Sequence, residues 1–250
     1  MEKLLTCVMD IGEQMLLSGA EVNRVEESLR RMCTAFGAMR TDVFIITSSM
    51  VVTIYLPDKT WLTQTRRITG SANDFEKLHR LNALSRKICS SSMTADQIRA
   101  ELQEVLRGKA YPLWLEYLCY AVIAGAFTLF FGGTVTDMLI SLSVGAIVRL
   151  GMQLTERVIT NRIFSRFFSS ALATAFAFLA VRLHWAETAD KIIIGNIMTL
   201  IPGIGLTTAI RDLFTGDSIA GLLRSIEAVL TALSIAAGYF LIALLGGISA

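Results

Sequence analysis

Hydrophobic and polar positions follow two different patterns in the two parts of the chain. Over residues 1–110 the apolar residues recur at helical or alternating spacings among polar ones, and from Tyr111 onward they form nearly continuous apolar segments. Of the Lys, Arg, Asp and Glu residues, 28 lie before Tyr111 and 16 lie after it. Apolar runs of about 20 residues match the hydrocarbon thickness of a bilayer. The pattern predicts an α+β domain over 1–110 and a transmembrane domain over 111–250.

The front part predicts seven elements in the order ααβββαα. Ser18-Gly19 and Gly37 are expected to end the first two helices, and Pro57-Asp58 supplies a turn between the last two strands. Thr94 with Gln97 three residues later predicts a capping box. The elements are expected as helices over 4–17 and 21–36, strands over 41–47, 49–56 and 60–68, and helices over 74–88 and from Thr94 onward.

The second part predicts about five transmembrane helices, so the fold class is a polytopic α-helical membrane protein with an N-terminal cytoplasmic α+β domain. Basic residues in the connecting loops orient such proteins, because they are retained in the cytoplasm. Six arginines fall in the loops expected inside, and only Arg182 and Lys191 fall in those expected outside. This predicts a cytoplasmic N-terminus and an outside C-terminus. The spans are expected over 112–131, 137–150, 164–183, 192–210 and 228–248.

Composition excludes several classes of function. A hydrophobic fraction of 53% with a net charge of +2 gives no basic footprint for nucleic acid. The four cysteines form no close pair, which favours reduced thiols and no disulfide framework. His79 is the front part's one histidine, and no nucleophile elbow, HExxH, zinc or Walker motif occurs. The sequence therefore predicts a protein that is not an enzyme, with no metal and no cofactor.

The segment LIPGIGLTTAIRDLFTGD, over 200–217, is the most informative part of the membrane half. Pro202, Gly203 and Gly205 predict a discontinuous helix, since proline removes a backbone hydrogen bond and clashes with the preceding turn. Secondary transporters build substrate and ion sites from such helices. The alternative is a simple proline kink followed by an interfacial loop with an Arg–Asp pair, and the residues alone leave both open.

The start of the second helix carries more charge than a helix terminus needs, in Glu21, Arg24, Glu26 and Glu27. One interpretation is a solvated face with i,i+3 and i,i+4 pairing and acidic residues favoured near the N-terminus. The other is a surface that binds a ligand or partner.

Three stretches together resemble the threonine/serine exporter family, in its N-terminal-half form. They are SGAEVNRVEESLRRMCTAFG over 18–37, LHRLNALSRKI over 78–88, and IPGIGLTTAIRDLFTGDSIAGLLRSIEAVL over 201–230. The resemblance implies a multi-pass inner-membrane exporter of a small polar metabolite. Single-chain members carry a second membrane module after the first, and this sequence ends before it. The resemblance therefore implies the split form, which works with a separate small membrane subunit of about 150 residues, the size of an ordinary domain.

The family motif carries over to two sets of residues. In the front domain Gly19, Glu21, Arg24 and Glu26 match it, with no role assigned. In the membrane half the expected substrate- or ion-binding residues are Pro202, Gly203, Thr207, Arg211, Asp212 and Asp217. Pro202-Gly203 would open the helix backbone, and Thr207 would offer a hydroxyl. Arg211 would pair with a substrate carboxylate or lock Asp212 structurally, and Asp217 is a candidate for proton coupling.

The leading hypothesis is a subunit of a secondary exporter for a threonine/serine-type amino acid or a succinate-type dicarboxylate. The expected partners are the lipid bilayer, the small subunit and the substrate, with homo-oligomerisation left open and nucleic acid excluded. The runner-up is a membrane-anchored metabolite sensor, against which the broken helix argues, since an anchor has no use for one. A membrane hydrolase is a third hypothesis, but it lacks a nearby nucleophile–base pair.

Overall fold

The computed structural model describes residues 1–70, 72–108, 111–158 and 161–246. The chain divides into two compact units. The front unit comprises Met1–Lys109 together with Ile204–Ser225, and the membrane unit comprises Ala110–Gly203 together with Ile226–Ala250. The sequence placed the whole of 111–250 in one domain, whereas the segment 204–225 has its contacts with the front unit.

The elements of the front unit are α1 (Glu2–Leu17), α2 (Val22–Ala35), β1 (Arg40–Ile46), β2 (Ser49–Tyr55), β3 (Trp61–Arg67), α3 (Phe75–Ser90), α4 (Ala95–Leu106) and α9 (Gly203–Thr215). Up to α4 the front unit has the predicted order of helices and strands, and α9 is an added helix from the later segment. The predicted capping box is present, because the Thr94 hydroxyl accepts from the Gln97 amide and the Gln97 side chain accepts from the Thr94 amide. Asp74 caps α3 by accepting from the Lys77 amide at 2.9 Å.

The three strands form an antiparallel meander in the order β1-β2-β3. Alternation along β2 buries Met50, Val52 and Ile54 on one face, as period-2 side-chain geometry requires. These residues join one core cluster with the apolar faces of α1, α2, α3 and α4. A polar contact at the sheet edge supports this packing, since Arg66 of β3 donates to Asp10 of α1 at 2.9 Å.

Gly19 ends α1 as the sequence predicts, and the structure requires glycine there. Its φ is +91°, and a Cβ would lie 2.8 Å from the Ala72 carbonyl oxygen. The Ala20 amide donates to the Met15 carbonyl and the Gly19 amide to the Leu16 carbonyl, which is the Schellman pattern of helix ends. The conformation therefore turns the chain sharply from α1 into α2.

Five helices build the membrane unit. They are α5 (Leu113–Phe130), α6 (Val135–Val158), α7 (Arg162–Arg182), α8 (Ala189–Ile197) and α10 (Ser218–Leu245), of which residues 226–245 belong to this unit. In the described part of the chain, four of these helices are long and apolar enough to cross a bilayer, namely α5, α6, α7 and α10. The chain is accordingly a polytopic helical membrane protein.

Two predicted spans differ from the structure. The second was expected over 137–150, but α6 has 24 residues, because Arg149 is paired with Glu116 and so does not end the helix. The fourth was expected as one span over 192–210, and the structure has two short helices there, α8 and α9, separated by residues 198–202. At 1.5 Å per residue the 9 residues of α8 cannot span a bilayer as a helix. The side of the membrane that holds the C-terminus stays a prediction.

Candidate functional site

The two family motifs meet in the front unit, at a cluster of ion pairs that we call the motif node. It comprises Glu21, Arg211, Asp212 and Arg224. Arg211 of α9 lies 2.7 Å from Glu21 Oε1, and Arg224 of α10 lies 2.9 Å from Asp212 Oδ2. Arg224 also donates to the Ala20 carbonyl at 3.1 Å. The Arg211–Glu21 pair and the hydrogen bond from Arg224 to Ala20 tie the start of α2 to the segment 204–225, although nearly two hundred residues separate them in sequence.

The two ion pairs of the motif node differ sharply in exposure. The Arg224 and Asp212 side chains are 16% and 1% exposed, whereas Arg211 and Glu21 are 57% and 24% exposed. Neither carboxylate oxygen of Asp212 has a well-aligned hydrogen-bond donor among the described residues, despite the close approach of Arg224. Burial therefore raises the pKa of Asp212, and the Arg224 guanidinium lowers it only in part. Asp212 is a buried acid whose nearest cation is Arg224, with the Val22 backbone amide as a second favourable group.

Sequence reasoning allowed Arg211 to lock Asp212, but the structure gives Asp212 a different partner. Adjacent residues on a helix point in different directions, so neighbours i and i+1 do not face each other. Arg211 reaches Glu21, and Arg224, from the next helix, reaches Asp212. Arg224 was not among the predicted site residues. The role of Arg211 and Asp212 in binding substrate stays a prediction, and the contacts present here are within the protein.

Gly216 and Asp217 form the end of α9. Gly216 has a φ of +96°, and the Asp217 amide donates to the Asp212 carbonyl at 2.9 Å, again in the Schellman pattern. Burial raises the pKa of Glu26 on α2, the Arg30 guanidinium opposes this, and the Asp217 carboxylate raises the pKa further. The proposed proton-coupling role of Asp217 stays a prediction.

The remaining predicted residues lie outside the motif node. Pro202 lies in the break before α9 and Gly203 begins that helix, with no atom within 4 Å of where a Gly203 Cβ would lie. The exposed Thr207 hydroxyl donates to the Ile204 carbonyl of its own helix at 2.9 Å. Arg24 lies on the exposed side of α2, in a cleft treated below.

The membrane unit contains a cavity of about 500 Å³ among α5, α6 and α7. Its charged and aromatic lining includes Glu116, Tyr120, Arg149, Glu156 and Arg166. The Arg149 guanidinium donates from Nε to Glu116 at 3.0 Å, lies 4.0 Å from Glu156, and covers the Tyr120 ring at 5.7 Å. These three neighbours fix the position of the Arg149 charge in the lining of the cavity.

Arg166 is the second cation in this cavity, and it is held differently. Its Nη1 lies 3.8 Å from the Met152 sulfur, and within the described residues no carboxylate lies within 4.0 Å of it. A partly buried guanidinium without a carboxylate partner is available to an incoming carboxylate, which it can bind through two parallel hydrogen bonds. Charged side chains in membrane helices are costly and are retained mainly where they serve function. Sequence reasoning used Arg149 and Arg166 only to orient the chain, as basic residues near the cytoplasmic ends of the second and third spans, and gave neither of them a role at the site.

A second polar feature of the membrane unit lies where α8 packs between α5 and α6. The Thr128 hydroxyl donates to Ser141 at 2.7 Å, and the Asn196 amide donates to Ser141 at 2.9 Å. All three side chains are fully buried, and Asn196 Oδ1 has no partner in the described part of the chain. Buried Asp137 accepts hydrogen bonds from the Glu187 and Thr188 amides just before α8. These contacts hold the short helix inside the unit.

Over the described ranges, no group of three or more His, Cys, Asp or Glu side chains is placed to hold a metal ion. Together, four helices long and apolar enough to cross a bilayer, with a short helix packed among them, define the class of polytopic α-helical membrane proteins, here with an added α+β unit.

Comparison with known proteins gives the family. Residues 6–246 match the family ThrE, described as "Putative threonine/serine exporter", and the chain belongs to this family. A protein named "Probable threonine/serine exporter", from Mycobacterium tuberculosis (strain ATCC 25618 / H37Rv), is 28% identical over 239 residues, which is 94% of this chain and 45% of that protein. The chain thus spans less than half the length of that relative. No solved structure matches the chain.

Proposed function

We propose that the chain is part of an exporter that carries a small amino acid or carboxylic acid out of the cytoplasm. Membership of the threonine/serine exporter family supports export. The observation that carries the proposal is the cavity among α5, α6 and α7, in which Arg166 has no carboxylate within 4.0 Å among the described residues. In this proposal Arg166 binds the substrate carboxylate. Glu116 and Glu156 supply negative charge for an ammonium group beside it.

The size and polarity of the cavity fit a metabolite of this class. A volume of about 500 Å³ lies in the range of small-molecule sites, which are mostly apolar with a few fixed polar groups. One available guanidinium with carboxylates nearby favours a zwitterionic amino acid of the threonine or serine type. A succinate-type dicarboxylate would need a second cation, and Arg149 could serve only by giving up its contact with Glu116.

The proposal extends to the surroundings of the protein. We propose that the protein lies in the inner membrane with its front unit in the cytoplasm, which the basic residues of the loops support. We propose that this chain works with a further membrane part, a separate small membrane subunit, as its resemblance to the N-terminal-half form of the family implies. The motif node would hold α9 and the start of α10 on the front unit during transport.

The test is efflux of labelled threonine, serine and succinate from proteoliposomes that contain the chain and its candidate small subunit. Arg166→Gln is expected to lower efflux at least tenfold, since one charge-assisted contact to a desolvated carboxylate contributes roughly 1.5–3 kcal/mol. Arg162→Gln is the matched control, because Arg162 is exposed, lies on the same helix and is absent from the cavity lining. Equal efflux from both variants, with both inserted, would remove Arg166 from the substrate site.

A further inference from the structure

The polar face of the front unit contains a cleft between α2 and α3 that the proposed transport route does not use. It has a volume of about 260 Å³. Its lining includes Arg24, Glu27, Arg31, Asn82, Arg86 and Cys89. The α2 members recur at intervals of three and four residues, as do those of α3, so each helix presents one polar stripe to the cleft. The cleft joins the polar residues of two stretches, 18–37 and 78–88.

Charge in the cleft is strongly unbalanced. Glu27 pairs with Arg31 on the same helix, one turn apart. Neither Arg24 nor Arg86 has a carboxylate within 4.0 Å among the described residues, and every other exposed cation of α2 does. Three guanidiniums against one carboxylate leave a net charge of +2 in the cleft. Arginines that lack partners and converge on a concave surface match the oxygens of a carboxylate or phosphate.

We infer that the α2–α3 cleft binds a small dianion, a dicarboxylate or a phosphate, held between Arg24 and Arg86 with Asn82 beside them. The ligand neutralises the two unpaired guanidiniums and joins α2 to α3 across the cleft. Because Arg24 lies three residues after Glu21, the N-cap of α2, occupancy of the cleft stiffens the start of α2 next to the Glu21 member of the motif node. The cleft is a regulatory site that reports the level of a soluble anion, distinct from the cavity in the membrane unit.

Cys89 supplies a built-in probe of occupancy. It lines the cleft and is exposed, while Cys7 and Cys33 are buried and Cys119 is the other exposed thiol. Partial burial raises the pKa of the Cys89 thiol, and the Arg31 guanidinium lowers it in part. A bound dianion slows alkylation in two ways, since it covers the thiol and cancels the effect of Arg31.

The experiment uses the full-length chain with Cys119→Ser, purified in detergent, and follows the rate of maleimide labelling of Cys89 at constant ionic strength. Succinate or inorganic phosphate is expected to slow labelling saturably, whereas sodium chloride and threonine do not. Arg24→Gln and Arg86→Gln are expected to raise the half-protecting concentration by about tenfold, the effect of losing one charge-assisted contact. Both arginines are exposed, so the thermal midpoint of each variant should match that of the parent.

Arg67→Gln is the matched control, because Arg67 is an exposed arginine of the same unit outside the cleft. It should retain the parent's protection. Three results would overturn the inference: no protection by either dianion, equal weakening in Arg67→Gln and Arg86→Gln, or protection by anionic lipid vesicles but not by soluble dianions. The last result would assign the cleft to a lipid headgroup.

Discussion

Removing Arg224 should destabilise the front unit far more than removing Arg211, although each arginine forms an ion pair with one carboxylate. Asp212 is 1% exposed and Arg224 is 16% exposed, so Arg224→Gln leaves a buried carboxylate without its cation. Loss of one partner of a buried pair costs about 3–5 kcal/mol. Arg211 is 57% exposed, and an exposed pair contributes only about 0–1 kcal/mol.

These energies convert to different thermal midpoints. For a protein of this size, 1 kcal/mol shifts the midpoint by about 2–4 °C, so Arg224→Gln should lower it by roughly 6 °C or more. Arg211→Gln should lower it by at most about 4 °C. The assay is thermal unfolding of the purified full-length variants in one detergent at neutral pH, read by loss of front-unit structure.

Two further measurements isolate the cause. Asp212→Asn added to Arg224→Gln removes the unpaired charge and should recover much of the lost midpoint. Acidification should also reduce the difference in thermal midpoint between Arg224→Gln and the parent, because a protonated Asp212 no longer needs a cation. The reasoning is refuted if Arg224→Gln and Arg211→Gln lower the midpoint equally, or if the double variant is no more stable than Arg224→Gln.

Three other outcomes follow from the contacts described. Gly216→Ala should lower the thermal midpoint, since φ is +96° and a left-handed residue with a Cβ costs about 1–2 kcal/mol, whereas Gly203→Ala should change it little. Because the pKa of Asp212 is raised from its ordinary value of 3.8, the folded chain binds more protons than the unfolded chain at pH values above 3.8. The contribution of Asp212 to the free energy of unfolding is therefore present at acid pH and is lost as pH rises through the raised pKa. A pH series in which Asp212→Asn shows the same slope as the parent would contradict this. Asp137→Ala should expose the backbone before α8 to hydrogen exchange, because the Glu187 and Thr188 amides lose their acceptor; unchanged protection there would count against it.

Local signals in the sequence were sufficient for most of the front unit. Gly19 and the Thr94–Gln97 pair act through neighbouring backbone, and helix ends of this kind are encoded within a few residues. The break at Pro202 was predicted for the same reason. Hydropathy could not reveal that the helix after the break packs on the front unit, because the pairing of Asp212 with Arg224 and of Arg211 with Glu21 involves distant residues.

The membrane cavity shows a different limit of sequence reasoning. The sequence predicted that the second span ends at residue 150, directly after Arg149, whose isolated charge would be expensive in a bilayer. The structure neutralises it with Glu116, from a different helix, and α6 continues beyond it. A charged residue inside a long apolar segment is therefore better interpreted with its possible partner on a neighbouring helix than as a boundary.

The front unit is built from two separate stretches of the chain, and this determines when it can finish folding during synthesis. Ala220 belongs to the buried core of that unit, and Arg224 binds the Ala20 carbonyl, so α1 to α4 lack part of their packing until residues 204–225 have been made. Chains emerge from the ribosome at about 5–20 residues per second, N-terminal domains first. Here the first segment to emerge must wait while α5, α6, α7 and α8 are synthesised, so the N-terminal unit is finished only after most of the membrane unit exists.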